Sequence, residues 1–475
     1  MGARIEQRDT ANRLDRDSLL SALGIGFLWS WVYCAYNTPS LFDERTGNSS
    51  LAHPSWLAAI AGAILVLVVG AVLFNRLHGA WRGSKRVAAG LMAVGTTISA
   101  WPSDLALSML GGLASGIGNG LLWLFWGRVL VSVHSERTEY IIPASSIVTA
   151  VAALIYPSMS GTVGTVATAA LPLPSLGCLT LVQNHEVHVP DAPGETDIPR
   201  SPMPARNILC VIAYTMSLYF VIGCLSSLSP LSETPVGPFV VSAPVFLDSC
   251  LGVLLALLCI LHAVRIDLAS LSKVIAPLLM GAIVLFAAGT PLAGQLFIVL
   301  LAGVDFMATA VIIVYLINLE KSGRLKGYSG IGIAQAALLI GSATGNMFGG
   351  QWHNGNTFTS TQLLPIVLVL ACALVLSLSF VPRGTMPAPQ IPKTTIPNRR
   401  ERDLTEIIQA LAAARGLTPR ETEILEYLAR GRTEPYIREQ LWLSRSTVST
   451  HVKHIYQKLN IHSKQEIISL IEGEQ

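Results

Sequence analysis

Long apolar segments occupy most of this chain and leave it few ways to fold. A helix that crosses the hydrocarbon core of a bilayer needs roughly 20 mostly apolar residues. Only 13% of the 475 residues are charged, against about 25% in an ordinary soluble protein. We therefore expect an all-α, polytopic bundle of twelve transmembrane helices, at 18–37, 56–75, 86–102, 105–131, 140–157, 160–183, 207–227, 242–264, 271–289, 294–318, 328–350 and 361–381.

Basic residues between these segments predict the orientation of the bundle. Cytoplasmic loops carry an excess of Lys and Arg. With residues 1–17 in the cytoplasm, the outer loops hold only Arg45. The inner loops and adjoining helix ends then hold Arg76, Arg82, Lys85, Arg86, Arg128, Arg137, Arg200, Arg206, Arg265, Lys273, Lys321, Arg324 and Lys326. We expect a multi-pass protein of the bacterial cytoplasmic (inner) membrane with both termini in the cytoplasm.

A polar segment at 184–206 divides the apolar region into two sets of six helices, 18–183 and 207–381. It is rich in Pro and acidic residues, and we expect a cytoplasmic central loop there. Six plus six helices around such a loop resembles the major facilitator superfamily (MFS) of transporters. In that family the loop between helices 2 and 3 carries an acidic residue before Gly and basic residues. Here the loop 75–86 has Arg and Gly but lacks the acid, which argues against transport by the family's usual gating.

Two glycine series have the spacing of close helix packing. They are Gly112, Gly116 and Gly120 in the fourth segment, and Gly341, Gly345 and Gly349 in the eleventh. Spacings of four residues let two helix backbones approach closely. We interpret both series as packing surfaces rather than ligand sites.

A few polar and aromatic residues lie at membrane depth and are candidate ligand contacts. Asp305 lies near the middle of the tenth segment, where an ionised carboxylate needs a partner or a proton. It either binds a cationic or hydrogen-bonding group or has a structural role. Asn119 adds polarity to the first glycine series. Trp29 and Tyr33 in the first segment either line a cavity or belong to an interfacial aromatic belt. A further carboxylate, Asp248, is expected nearer the outer side.

Other chemistry has little support in the sequence. The seven cysteines fall in apolar segments without a CxxC pair, which predicts buried thiols rather than metal ligands. We find no Walker loop, nucleophile elbow or HExxH helix. We therefore expect no catalytic residues, no cofactor and no metal site.

The C-terminal region, 403–475, has a water-soluble pattern after the Pro-rich linker 382–402. Asp403–Gly416 predicts a short helix that ends at a glycine cap. Thr418-Pro419-Arg420-Glu421 is a capping box that opens the next helix. A second short helix follows Thr433, and Ser444 is expected to cap a third that runs to Leu459. Residues 463–466 form another capping box, which opens a fourth helix.

Positive charge in this region gathers on the third of these helices. Residues 403–475 contain nine basic and ten acidic residues, yet 440–464 contains no acid. The basic residues of that stretch are Arg445, Lys453, Lys458 and Lys464. Such a cluster is where DNA phosphates would be met.

The same residues resemble the LuxR-type (GerE/NarL-like) four-helix DNA-binding domain. The matching positions are Leu417, Thr418, Arg420, Glu421, Glu423, Ile424, Leu425, Leu428, Gly431, Ile437, Leu441, Leu443, Ser444, Thr447, Val448, His451, Ile455, Lys458, Leu459, Ser463 and Glu466. The resemblance implies a helix-turn-helix that binds double-stranded promoter DNA. It implies that Ser449, Thr450 and Lys453 enter the major groove. Phosphates would be bound by Thr447 and Lys458, helped by Arg445 and Lys464.

The resemblance also implies a homodimer formed through the fourth helix, Ser463–Glu472. Ser449 stands where the family often has Lys, so a different base preference is expected. We interpret the chain as a membrane-embedded one-component transcriptional regulator that senses a small molecule through its transmembrane region. The alternative is an MFS-like transporter with an appended DNA-binding regulatory tail. Neither interpretation is that of an enzyme.

Overall fold

The computed structural model describes residues 2–37, 54–73, 84–100, 104–133, 135–159, 161–185, 202–227, 238–261, 268–288, 290–353, 365, 369, 372, 408–409, 411–413, 415–429, 437–438, 441, 445–459, 461 and 466. These residues form helices and turns, with no strand among them. The chain divides into two compact units, Met1–Arg383 and Gly384–Gln475.

Thirteen α-helices of the first unit are described. They are α1 (Gly2–Asn37), α2 (Pro54–Leu73), α3 (Ser84–Ser99), α4 (Leu105–Ser132), α5 (Ser135–Ala144), α6 (Ser146–Ile155), α7 (Gly161–Ala170), α8 (Pro172–His185), α9 (Ala205–Ser227), α10 (Pro238–Ile260), α11 (Leu268–Ala288), α12 (Pro291–Lys321) and α13 (Gly330–His353). Eight segments of the described residues are long and apolar enough to cross a membrane. Two shorter apolar helices lie at Val245–Ile260 and Lys273–Ala288.

The helices confirm the all-α membrane architecture. Eleven of the twelve predicted segments coincide with these helices, α5–α6 and α7–α8 each forming one crossing. The twelfth, 361–381, lies outside the described residues apart from three single positions, as do the linker 382–402 and most of the central loop 184–206. Asp248 lies at the middle of α10 rather than near its outer end, because this helix begins at Pro238.

Breaks between helices follow local chemistry. Asp104 caps α4 by accepting from the Ala106 and Leu107 backbone N–H groups at 2.8 and 3.3 Å. This cap marks the boundary between the third and fourth predicted segments. Proline also divides the sixth predicted segment, since α7 ends at Ala170 and α8 begins at Pro172.

Both glycine series form helix-packing surfaces, as predicted. A Cβ at Gly112 or Gly116 would lie 2.1 Å from Ser55 O or 1.9 Å from Ala59 O, both on α2. In the second bundle, Cβ atoms at Gly341, Gly345 and Gly349 would lie 2.2–2.7 Å from backbone oxygens of α9. The backbones therefore touch at distances that only glycine allows.

The two bundles contact each other along several helix pairs. Between α6 and α10, Ser146 Oγ donates to Ser249 O at 3.0 Å. Between α2 and α13, the N–H of Ser329, which precedes α13, donates to Ala71 O at 2.9 Å. Lys321 Nζ at the end of α12 donates to Thr138 Oγ1 on α5. These contacts join the bundles at mid-depth and at the ends that carry most of the basic residues.

Within the second unit, the predicted capping box at Thr418 and the glycine-ended helix before it are present, whereas the predicted caps at Thr433 and Ser444 and most of the capping box at 463–466 lie outside the described residues. Thr418 and Glu421 form the reciprocal capping box, with Glu421 N to Thr418 Oγ1 at 3.3 Å and Thr418 N to Glu421 Oε2 at 2.8 Å. It opens α14 (Pro419–Ala429). Gly416 adopts a φ of 63°, and the Leu417 N–H donates to Ala412 O at 2.9 Å. This is the glycine-ended helix terminus expected there.

The third predicted helix is α15 (Arg445–Leu459). Its apolar side packs on α14 in one buried core, which also includes Ile408 and Leu411 from the preceding segment. The other members are Ile424, Leu425, Leu428, Ile437, Val448, Val452, Ile455, Leu459 and Ile461. The core fixes the face that α15 presents to solvent.

Candidate functional sites: a DNA-binding surface and a membrane-embedded polar cluster

The exposed face of α15 is the candidate DNA-binding surface. Ser446, Ser449, Thr450, Lys453 and Gln457 are exposed, at the three- and four-residue spacing of one helix face. The opposite face supplies the core residues Val448, Val452, Ile455 and Leu459. Three predicted major-groove residues, Ser449, Thr450 and Lys453, thus share one accessible surface.

The predicted DNA-contacting side chains of α15 differ in their hydrogen bonds and in their exposure to solvent. Thr450 Oγ1 donates to the Ser446 backbone oxygen at 2.8 Å, which turns its hydroxyl back toward the helix. Thr447 is half-buried. Arg445 begins α15, but its side chain lies outside the described residues, as does the whole of Lys464.

The Lys458 side chain forms two hydrogen bonds within the domain. Its Nζ donates to Glu421 Oε2 at 2.7 Å and to Gly416 O at 2.9 Å, which ties α15 to the start of α14. The Glu421 side chain is 5% exposed, whereas that of Lys458 is 34% exposed. Its predicted phosphate contact therefore has to coexist with a structural ion pair.

The electrostatics of Glu421 follow from these contacts. Burial by itself raises the pKa of this carboxyl. Hydrogen bonds from Lys458 Nζ and from the Thr418 backbone N–H outweigh the burial and lower the pKa from 4.5 to about 2. The ionised form is therefore favoured by the fold.

We expect the second unit to lose stability in acid through Glu421. Because the folded-state pKa is lowered, the contribution is complete above about pH 4.5 and is lost as the pH falls toward 2. Its size is at most about 3 kcal/mol from the pKa difference, because solvent screens the partly exposed Lys458 and weakens the pair. Denaturant unfolding of a fragment spanning 403–475, at pH 7 and pH 3, measures it.

The matched control is Glu421→Gln. This variant should be less stable than wild type at pH 7 and should have a flatter dependence on pH between 5 and 3. An unchanged pH dependence would show that the Glu421–Lys458 pair contributes nothing to stability.

Sequence reasoning missed two members of the exposed face. Gln457 lies one turn beyond Lys453, and Ser446 lies one turn before Thr450. Their positions follow from the register of Val448 and Val452, and the i, i+4 spacing from Lys453 could have revealed Gln457. Arg420 also acts indirectly, since its Nη2 donates to Leu441 O at 3.0 Å and links α14 to the segment that precedes α15.

In the first bundle, the predicted ligand residues lie around the packing of α1 on α4. The ring centroids of Trp29 and Trp123 are 4.8 Å apart in an edge-on arrangement. Trp29 Nε1 and Asn119 Oδ1 are both shielded from solvent without a hydrogen-bond partner. Tyr33, one turn after Trp29, is buried. These aromatics pack between helices, which disfavours an interfacial belt.

Asp305 belongs to a separate polar cluster within the second bundle. Tyr219 on α9 donates its hydroxyl to the Asp305 backbone oxygen at 3.2 Å and also pairs with Thr309 Oγ1. Asp248 on α10 interacts electrostatically with Asp305. The contacts described for Asp305 are all within the second bundle, so the structure does not join it to Trp29, Tyr33 or Asn119.

One further residue at the bundle contact escaped the sequence analysis. Gln335 on α13 is 2% exposed, and its Nε2 has no hydrogen-bond partner. It lies one turn after Ile331, whose side chain covers Gly127 of α4, and three residues after Gly332, which touches Ala71 of α2. A lone Gln in an apolar segment carries no sequence signal for this location.

Comparison with known proteins identifies the second unit. Residues 415–471 match the family of bacterial regulatory proteins of the luxR type, GerE. The chain is 42% identical over 66 residues to the response regulatory protein YgeK of Escherichia coli, covering 14% of this chain and 45% of that protein. It is 46% identical over 52 residues to the oxygen regulatory protein NreC of Staphylococcus carnosus, covering 11% and 24%. The chain thus spans less than half the length of these relatives.

The first unit has structural relatives of another kind. The MFS proton:xylose symporter XylE, bound to 6-bromo-6-deoxy-D-glucose, superposes with a TM-score of 0.54 at 14% identity. The match covers 78% of this chain and 96% of the symporter. An outward-facing bacterial homologue of the iron transporter ferroportin gives 0.50 at 14% identity, covering 77% and 98%. At this identity the likeness establishes the fold alone.

These matches confirm the two resemblances expected from the sequence, a LuxR-type helix-turn-helix domain at the C-terminal side and an MFS-like membrane region. The relatives of the two parts are regulators and transporters rather than enzymes. The chain is therefore a multi-pass membrane protein with the fold of MFS transporters that carries a LuxR-family helix-turn-helix DNA-binding domain at residues 415–471.

Proposed function

We propose that this protein is a membrane-embedded one-component transcriptional regulator, which senses a small molecule in its membrane bundle and binds promoter DNA through α15. The observation that carries the proposal is the presence of both parts on one chain. A DNA-binding domain with its core and recognition face intact follows a membrane body of transporter fold. A soluble regulator has no need of such a body.

Signalling would operate by a shift between two arrangements of the bundles. A ligand that binds one arrangement more tightly raises its population. The contacts Ser146–Ser249, Ala71–Ser329 and Thr138–Lys321 differ between arrangements if the bundles move relative to each other. We propose that such movement alters the position or dimerisation of the DNA-binding domain, the dimer forming through Ser463–Glu472.

Location is part of the proposal. The concentration of basic residues at one end of the helices supports an orientation in the bacterial inner membrane with residues 1–17 and the DNA-binding domain in the cytoplasm. Thr138 and Lys321 are then on the cytoplasmic side.

The direct test compares transcripts of wild type, a deletion strain and a Lys453→Ala strain exposed to a panel of small molecules. We expect one compound class to change a small set of transcripts in wild type only. Identical responses in wild type and the Lys453→Ala strain would contradict regulation by this chain.

Asp305→Asn should weaken the response to that compound class. Loss of a charge-assisted hydrogen bond costs about 1.5–3 kcal/mol, so the half-effective concentration should rise about 10- to 100-fold. The response at saturation should be retained, because α15 is untouched. Promoter activity measured against compound concentration tests this, and an unchanged curve would remove Asp305 from the site.

A second candidate function, transport with a regulatory tail, is favoured by the MFS fold and by Asp305 at mid-depth. The missing acid in 75–86 opposes it. Uptake of the active compound into membrane vesicles distinguishes the two. Ligand-dependent promoter activity without uptake supports the regulator, and uptake that survives removal of residues 403–475 supports the transporter.

A further inference from the structure

Two carboxylates lie together in the middle of the second bundle. Asp248 is the eleventh of the 23 residues of α10, and Asp305 is the fifteenth of the 31 residues of α12. The two helices touch one turn away, where a Cβ at Gly252 would lie 2.7 Å from the ring of Phe306. The two carboxyls are close enough for their charges to repel each other when both are ionised. Two neighbouring negative charges at membrane depth are strongly disfavoured unless positive charge joins them.

Described side chains around the pair supply no such charge. Tyr219 OH donates to the Asp305 backbone oxygen and pairs with Thr309 Oγ1, so its hydroxyl is engaged. Asp248 Oδ1 is shielded from solvent and has no hydrogen-bond partner. This orphaned acceptor indicates a missing donor.

Basic residues of the surrounding helices are too distant to fill that place. On α9, α10 and α12 they are Arg206 and Lys321. Lys321 is 16 residues beyond Asp305, which is about 24 Å along a helix. On α5 and α11, which also pack here, Arg137 and Lys273 lie close to the helix ends.

We propose that Asp248 and Asp305 bind the ammonium group of an organic ligand, which is thereby the class of molecule sensed by the protein. The proposal rests on the function proposed above. One ammonium neutralises one carboxylate, and the second retains a proton, so the occupied site is neutral. Asp248 Oδ1 accepts from the ammonium, and the Tyr219 ring adds a cation–π surface.

An organic cation fits this site better than a metal ion. No group of three or more His, Cys, Asp or Glu residues that could hold a metal occurs in the described part of the chain. The backbone oxygens of α10 and α12 are largely engaged within their helices, whereas a metal ion needs several free oxygen ligands. An ammonium group needs two or three acceptors and tolerates apolar surroundings on its organic side.

The proposed site lies on two helices that contact the first bundle, so a bound ligand can affect both bundles. Ser249, adjacent to Asp248, accepts the hydrogen bond from Ser146 of the first bundle. Asp305 shares α12 with Lys321, whose Nζ contacts Thr138. A ligand that bridges α10 and α12 therefore acts on two of the contacts that join the bundles.

The test uses dicyclohexylcarbodiimide, an apolar reagent that adds across a protonated carboxyl to give a stable N-acylurea without a leaving group. Full-length protein in lipid nanodiscs is labelled at pH 7, and the modified residue is read by peptide mass spectrometry. We expect label on one carboxyl of the pair per chain. A panel of phenylalkylammonium ions of increasing length should slow labelling, and the best of them should do so about tenfold when present at ten times its Kd.

Control compounds show whether the ammonium group itself is responsible for the protection. Alcohols of the same length should give no protection, nor should NaCl or KCl at the same concentration. Protection by an ammonium ion alone supports the proposal. Equal protection by the alcohols, protection by Na⁺ or K⁺ alone, or no protection by any ammonium ion each overturns it.

Variants give an independent check. In Asp248→Asn or Asp305→Asn the remaining carboxyl should lose its ammonium protection, while Asp104→Asn, at an exposed helix cap, should behave as wild type. Protection that persists in both single variants would contradict the paired site. The labelling experiments on the wild-type protein test the proposal even if a variant fails to fold. Because no DNA is involved, failure here leaves the regulator proposal to be judged by its own promoter experiment.

Discussion

Lys453→Ala should abolish promoter occupancy while leaving the protein in the membrane. The side chain lies on the exposed face of α15 with Ser449 and Thr450, at the centre of a stretch without acidic residues. One base or phosphate contact is worth about 1–3 kcal/mol. The proposed dimer presents two copies, so the loss amounts to about 2–6 kcal/mol, roughly 30- to 10⁴-fold in affinity. Genome-wide crosslinking of the full-length chain measures occupancy.

Lys453 is a cleaner test than the other lysine of this helix. Lys458→Ala would also break the ion pair with Glu421 and expose the domain to unfolding. Lys453→Arg is the matched control, because it keeps the charge and should retain most of the salt-dependent binding. Membrane fractionation should give equal amounts of the wild type, the Lys453→Ala variant and the Lys453→Arg variant. Full occupancy by the alanine variant would refute the placement of α15 in the major groove.

Gly116→Ala should disrupt the first bundle. The added Cβ would lie 1.9 Å from the Ala59 backbone oxygen, which cannot yield without moving α2 away from α4. Inserting an extra methyl group into a packed core costs about 1–3 kcal/mol of stability when neighbouring side chains can adjust. Because the neighbour here is a backbone oxygen, we expect a loss at or above the upper end of that range. Thermal unfolding of the detergent-solubilised protein, with the monodisperse fraction after purification, measures the loss.

Gly90→Ala is its matched control. Gly90 lies inside α3, and a Cβ there meets nothing within 4 Å. Alanine is favoured over glycine in a helix interior by about 0.5–1 kcal/mol, so this variant should be as stable as wild type or slightly more so. Equal destabilisation of both variants would mean that α2 and α4 do not pack this closely.

Helix positions in the membrane unit were largely predictable, because hydrophobic length alone reports a membrane crossing. The first and last residues of these helices were less predictable. The tenth predicted segment, 294–318, is shorter than α12 because Thr290 and Pro291 were not recognised as a helix start. Thr290 Oγ1 accepts from the Ala293 N–H at 3.2 Å, and Pro291 occupies the first turn. The same cap-and-proline signal correctly predicts the start of α14 at Thr418 and Pro419.

Contacts between distant segments could not be predicted from local pattern. The capping box predicted the Glu421–Thr418 pair, but the second partner of Glu421, Lys458, lies 37 residues away. Likewise, Asp305 was a candidate from its depth alone. Its neighbours Tyr219 and Asp248 come from other helices, and only packing brings them together. Periodicity finds which face of a helix is buried, whereas the identity of the facing residue is a tertiary property.

Regulation of transcription by this protein depends most directly on the side of the membrane that holds the DNA-binding domain. Green fluorescent protein and alkaline phosphatase, each fused after Gln475 and expressed in a bacterium, report that side because the first fluoresces only when folded in the cytoplasm and the second is active only in the periplasm. We expect a fluorescent protein fusion in the membrane fraction and an inactive phosphatase fusion. An active phosphatase with a dark fluorescent fusion would place α15 away from the chromosome and contradict the account.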